Sequence, residues 1–245
     1  MSALPGTTGR RRIYLMRHGF VDYTSKKVRD TRDPSQAYLT EQGRQEARAA
    51  GLALSDVHFD LALCSGLSRT RETAEIVLSQ HPKDIELEDE TRFEELRSGR
   101  YIDFKSAEQL AATMTFQFEC AGDPGATFLE GGERFSDAMA RIVEGMEHLL
   151  ARPSWHTALL VAHEGINRLI LSWVIGAPLG ASAGFEQDTG CINIIDFDLV
   201  PAESSDGTAQ IERGIIKSVN LTPANYLKNG MNLRSLEAIF TESSE

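Results

Sequence analysis

The chain has 245 residues, 41% hydrophobic and 25% charged, with a formal net charge of −11. That length and mix fit a soluble globular protein with a real core and exclude a disordered or collagen-like chain. The acidic balance argues against a nucleic-acid partner, because phosphate backbones need clustered positive charge; an anion would have to be held in a local pocket of Arg, Lys or His. The three cysteines, Cys64, Cys120 and Cys191, form no CxxC pair and read as small buried hydrophobes, which leaves no disulfide and no metal site to expect. No run of about 18 apolar residues offers a membrane span, and MSALPGTTGRRR lacks a signal-peptide core, so a cytoplasmic protein without a membrane partner is expected.

In chain order, residues 1–10 read as a loose tail and Arg12 to Met16 as a buried strand ending at Arg17. A helix opens at Leu39-Thr40 with Thr40 as N-cap, and Ala47, Ala50, Gly51 and Leu54 give it a small apolar stripe. Phe59 to Cys64 reads as a strand, Leu67 to Ser79 as a helix and Ile85 to Leu87 as a third strand. The stretch 101–132 is irregular, with one helix expected near Ser106 to Phe118; it reads as a cap inserted over a site. Its aromatic residues Tyr101, Phe104, Phe116, Phe118 and Phe128 are expected to form the insertion's own small core rather than a pocket wall.

Apolar residues from Phe135 to Leu150 follow the 3.6-residue period over five turns. Thr157 to Ala162 is a strand ending at His163, Ile166 to Ile175 an apolar helix, and Cys191–Phe197 with Gln210–Val219 a hairpin of two strands. Residues 221–245 read as a polar tail with a weak helix at Leu233 to Phe240. Strands alternating with helices predict an α/β fold: one domain, a three-layer α/β/α sandwich on a mostly parallel sheet, with a small inserted cap.

Ligands of such sheets bind beyond the carboxyl ends of the strands. Three strands end in Arg17-His18-Gly19, in Ser65-Gly66-Leu67-Ser68-Arg69 and in His163-Glu164-Gly165. Two His and two Arg thus converge on one edge, a set suited to a phosphoryl group: Arg offers a charged planar fork, and neutral imidazole is a nucleophile near neutral pH. Gly19 is expected to let backbone approach the anion, and a helix starting near Gly165 to aim its N–H groups at it.

These segments resemble the histidine phosphatase superfamily, the phosphoglycerate mutase-like fold, over roughly residues 12–221. The resemblance lies in Leu15-Met16-Arg17-His18-Gly19, in Leu39-Thr40-Glu41-Gln42-Gly43 and in the run from Ser65 through Arg69 and Thr73 to Ala74. Gly131-Gly132-Glu133-Arg134 and Val161-Ala162-His163-Glu164-Gly165 complete it. It implies that His18 is the residue phosphorylated, that Arg17, Arg69 and His163 hold the phosphate, and that Glu95, four residues before Gly99, is the general acid, with Glu94 its rival. No metal and no cofactor are implied. Where many members read Arg-His-Gly-Glu-Thr-x-x-Asn, this chain has Phe20, Val21 and Thr24; Thr24 can replace the Asn as a hydrogen-bonding phosphate contact. The mutase-type run Glu-Arg-His-Tyr-Gly is replaced by Glu95-Leu96-Arg97-Ser98-Gly99.

The expected activity is therefore metal-independent hydrolysis of a phosphate monoester, on a small molecule or a phosphoprotein. The alternatives are a cofactor-dependent phosphoglycerate mutase and a dead module that binds a phosphorylated ligand. Oligomeric state stays open, a homodimer included.

Overall fold

A computed structural model describes residues 9–23, 30, 34–99, 116–201 and 209–225. Thr24, most of the cap, the turn of the final hairpin and residues 226–245 lie outside them, as do Tyr101, Phe104 and the weak helix expected at Leu233 to Phe240.

One six-stranded sheet organises the chain. Its strands are β1 (Gly9–Arg17), β2 (Leu61–Cys64), β3 (Leu87–Asp89), β4 (Thr157–Ala162), β5 (Ile192–Pro201) and β6 (Ala209–Leu221), in the order β3-β2-β4-β1-β5-β6. The four strands from β3 to β1 are parallel; β5 and β6 run antiparallel at one side. Helices α1 (Glu41–Ala53) and α2 (Ser68–Leu78) cover one face, α3 (Phe135–Ala151) and α4 (Glu164–Val174) the other. The α/β/α sandwich is thus present.

Side-chain alternation along β1 explains the layering. Ile13 and Leu15 point into the core under α3 and α4, while Met16 joins Ala50, Ala62, Ala74 and Val161 under α1 and α2. β4 is buried at every position, as a central parallel strand must be. In α3 the buried stripe Phe135, Ala138, Ile142, Met146, Leu149 and Leu150 follows the expected period, and Gly145 adds to it where the helix meets Phe93.

Several expectations need correction. Gly9 and Arg10 are not tail: they pair with Leu199 and Asp198 of β5, where Arg10 and Arg12 neutralise the buried Asp198 and Asp196. The third strand lies two residues later than expected, because Leu87 to Asp89 is the stretch that registers against Ala62 to Cys64. Phe59 precedes its strand and packs instead against Tyr14 and His81. Leu221 ends β6 and Thr222 is buried, so the tail begins later than residue 221. Cys64 and Cys191 are buried but Cys120 is exposed, at the end of a 3-10 turn, Gln117–Cys120, that replaces the last residues of the expected cap helix. Phe118 and Phe128 do not build a separate core; they stack with Phe135 of α3 in the main one, while Phe116 is exposed.

Candidate active site

The parallel register puts the ends of three strands level. Arg17 lies opposite Ala162, and Cys64 opposite Val161, so His18, Ser65 and His163 emerge side by side. The two imidazoles are 5.2 Å apart, edge to face, and both are buried.

His18 Nδ1 lies 2.8 Å from its neighbour's carbonyl, Gly19 O. A carbonyl only accepts, so Nδ1 carries the proton and Nε2 presents the lone pair. Arg69, in the first turn of α2, donates from Nε to that Nε2 at 3.3 Å. Burial, then the charges of Arg69 and Arg17, hold the His18 pKa well below 6.5, so the ring is neutral at physiological pH. A neutral, oriented imidazole with its lone pair beside two guanidinium groups is set up to attack an electrophilic anion.

His163 is oriented by a chain of hydroxyls. Thr70 Oγ1 gives its proton to Leu67 O at 2.8 Å, and Ser65 Oγ lies 2.9 Å from Thr70 Oγ1 and 2.8 Å from His163 Nε2. With the Thr70 proton committed, Ser65 donates to Thr70 and His163 Nε2 donates to Ser65. The buried Nδ1 has no partner among the described residues, nor has Nε of the buried Arg17. Unpaired buried polar atoms are rare and costly, and here a P–OH group and a phosphoryl oxygen would satisfy them. Arg17 is held from its other side, NH1 donating to Gln187 O at 2.5 Å and meeting Glu164 Oε2 at 3.1 Å.

Glu95 sits on the loop after β3. Its Oε1 accepts from Leu96 N at 2.9 Å and its Oε2 faces Gly165 N, in the first turn of α4, at 3.5 Å. Burial raises its pKa above the ordinary carboxylate value, against the pull of the Leu96 N–H and Arg69. These contacts belong to Glu95 and not to its rival Glu94. The expected N–H of Gly165 does point into the site, but toward this carboxylate.

Several residues that hold this arrangement carry no signal of their role in the sequence. Arg141 of α3 donates to Arg92 O at 2.5 Å and forks onto Glu133, which also caps Arg97 N at 3.1 Å; together they anchor the loop that carries Glu95. Thr73 Oγ1 receives Gly19 N at 3.1 Å and Glu46 Oε2 receives Phe20 N at 2.8 Å, fixing the loop after His18. Ser65, Thr73 and Glu133 lie within the motifs, but a motif alone does not say which contact a hydroxyl or carboxylate makes. The reason expected for Gly19 changes too. A side chain there would lie 2.3 Å from Gly43 O, and one on Gly43 would lie 2.2 Å from Phe20 O. The two glycines are needed for each other, so that the loop can rest on the start of α1, where Thr40 caps by accepting from Gly43 N.

Stability should report on these buried imidazoles. Burial first, then Arg69, hold the His163 pKa well below 6.5, as for His18. Below about pH 6.5 the unfolded chain binds protons at these residues that the folded one does not, so stability is complete above that value and is lost on acidification. Glu95, with its raised pKa, opposes this by taking up a proton in the folded state. Urea unfolding between pH 7 and 5.5 should therefore lose roughly 1.4 to 2.7 kcal/mol per pH unit, one to two protons' worth. A flat or rising stability over that range would contradict neutral, buried histidines.

Comparison with known proteins identifies the fold and the family. The sequence profile of the histidine phosphatase superfamily (branch 1) matches residues 13–200, from within β1 to the next-to-last residue of β5. An adenosylcobalamin/alpha-ribazole phosphatase of Escherichia coli (strain K12) is 28% identical over 192 residues, 76% of this chain and 90% of that protein. A protein of Erwinia tasmaniensis named "Probable phosphoglycerate mutase GpmB" is 26% identical over 193 residues, 77% of this chain and 86% of its own. Among solved structures, a mycobacterial glucosyl-3-phosphoglycerate phosphatase in complex with inorganic phosphate superposes with a TM-score of 0.66 at 20% identity, covering 87% of this chain and 99% of the other. The alpha-ribazole phosphatase of Shigella flexneri gives 0.61 at 23%, covering 84% and 96%. At those identities the structures establish the fold; the profile match, spanning well over half the chain, establishes the family. The chain belongs to the histidine phosphatase superfamily, branch 1.

Proposed function

We propose that this enzyme hydrolyses a phosphate monoester in two displacements at His18. His18 Nε2 attacks phosphorus, the ester P–O bond breaks, and Glu95 gives its proton to the leaving alkoxide. Glu95, now ionised, takes a proton from the water that attacks phosphohistidine; inorganic phosphate leaves and His18 and Glu95 return to their starting forms. Arg17 and Arg69 bind the phosphoryl oxygens and offset the charge that builds on them, His163 accepts from the P–OH group, and Thr24 is a further candidate contact. The observation that carries the reading is the pairing of a neutral His18, its lone pair fixed at Nε2, with a carboxyl group of raised pKa on the adjacent loop. Two groups whose environments push their pKa values apart in this way mark a nucleophile and an acid.

The guanidinium groups supply the charge neutralisation that a metal gives elsewhere, so the reaction is read as metal-independent. The substrate is read as a phosphorylated small molecule, in keeping with what the named relatives act on, in a cytoplasmic enzyme built on one domain with its cap. No described helix is long and apolar enough to cross a membrane. A panel of aryl and alkyl phosphomonoesters assayed in EDTA should release inorganic phosphate at an undiminished rate; a requirement for added divalent metal would overturn the mechanism. The mutase reading is kept in view by the Erwinia relative. Rapid isomerisation of 3-phosphoglycerate primed by 2,3-bisphosphoglycerate, without net phosphate release, would favour it.

A further inference from the structure

The residue after His163 is a glutamate, and nothing in the two-step reaction uses it. Glu164 lies in the first turn of α4, partly exposed, where the positive end of the helix favours an anion. Its two oxygens are divided between two arginines: Oε2 lies 3.1 Å from Arg17 NH1, and Oε1 accepts from Arg168 NH2 at 2.7 Å. Arg168 is itself buried, with its guanidinium 4.8 Å from the ring centre of Phe118. The cradle is therefore more than Arg17, Arg69 and the histidines. It is a row, Arg168–Glu164–Arg17, that ends on the phosphoryl site.

The row has an electrostatic consequence. Glu164 offsets part of the Arg17 charge before any ligand arrives, its Oε2 lying 3.1 Å from Arg17 NH1, and the buried His18 and His163 beside it add no positive charge. A second negative charge on the alcohol part would meet Glu164 across the buried Arg17, where like charges repel.

We propose that Glu164 sets the charge this site accepts, selecting phosphomonoesters whose alcohol part is neutral or cationic over those carrying a carboxylate or a second phosphate. The inference rests on the hydrolytic reading above. Glu164 acts through Arg17 and is a positioning and selectivity residue.

Two substrates nearly alike in shape test it: glycerol 3-phosphate and 3-phosphoglycerate, which differ by a hydroxymethyl against a carboxylate. The wild-type enzyme should show the higher kcat/KM on glycerol 3-phosphate. Glu164→Gln, which keeps the shape and removes the charge, should shrink that preference about tenfold, chiefly by lowering KM for the carboxylate substrate, because a fixed charge acts on bound ground state and transition state alike. Arg168→Met, which keeps the packed stem, should widen the preference by a similar factor. p-Nitrophenyl phosphate turnover shows whether each variant is folded and competent. A preference unchanged in both variants, with p-nitrophenyl phosphate still hydrolysed, would overturn the inference and leave the hydrolase reading standing. So would a wild type that prefers 3-phosphoglycerate. No p-nitrophenyl phosphate hydrolysis by the wild type would remove both.

Discussion

Replacing His18 by alanine should lower the rate of phosphate release on the order of 10⁴-fold or more, with every phosphomonoester tried. The loss is this large because alanine removes the attacking atom, while the remaining cradle of Arg17, Arg69 and His163 can still bind an anion. Binding should survive in part. Arg69 loses the imidazole as acceptor and gains freedom to take a phosphoryl oxygen, so inorganic phosphate should still compete for the site at a similar concentration. The variant should also fold, because the loop after residue 18 keeps its anchors in Thr73, Glu46 and the glycine pair. A variant that is folded, binds phosphate and retains wild-type turnover would sink the assignment of His18.

Glu95→Gln should have the second largest effect, and its size should depend on the leaving group. An alkoxide needs a proton as the P–O bond breaks, so alkyl phosphates should slow by about 10²- to 10⁴-fold. p-Nitrophenolate leaves without one, so the first displacement with p-nitrophenyl phosphate should be nearly unaffected and the second, which needs a base for water, should become limiting. Gly165→Ala should give a milder version of the same pattern. An added methyl there would lie 2.8 Å from Glu95 Oε1 and 2.7 Å from a Leu96 methyl, both ends of side chains that can move, so the acid is displaced while the fold survives. A uniform loss across leaving groups in Glu95→Gln would argue that the residue holds the loop and carries no proton.

Much of the candidate site is legible in the sequence, and the reason is geometric. Arg17, His18, Arg69 and His163 are within a residue or two of strand ends or helix starts, where the sequence signal is strong and the parallel sheet brings distant segments level. Glu95 required the family resemblance, since an acidic loop alone has no period and no cap to announce it. What stayed hidden depends on packing between segments far apart in the chain. Arg141 looks like any exposed-face helix residue until α3 docks and its guanidinium reaches Arg92 O and Glu133. Glu164 looks like a solvated first-turn acid until Arg17 and Arg168 close on it. Gly19 looks like a device for approaching a ligand, whereas its missing side chain makes room for Gly43. Three residues at a sheet edge carry too little pattern to fix a boundary, so the bounds of the short β3 are decided by its register with β2.

The central claim is the phosphohistidine, and Glu95→Gln offers the means to see it. Mixed rapidly with excess p-nitrophenyl phosphate, this variant should release one equivalent of p-nitrophenol per active site in a burst. Quenched into base, it should carry one phosphoryl group on His18, stable to alkali and lost in acid, with the site read by peptide fragmentation. A burst whose phosphoryl group maps to any residue other than His18, or a burst that leaves His18 unmodified, would contradict the account.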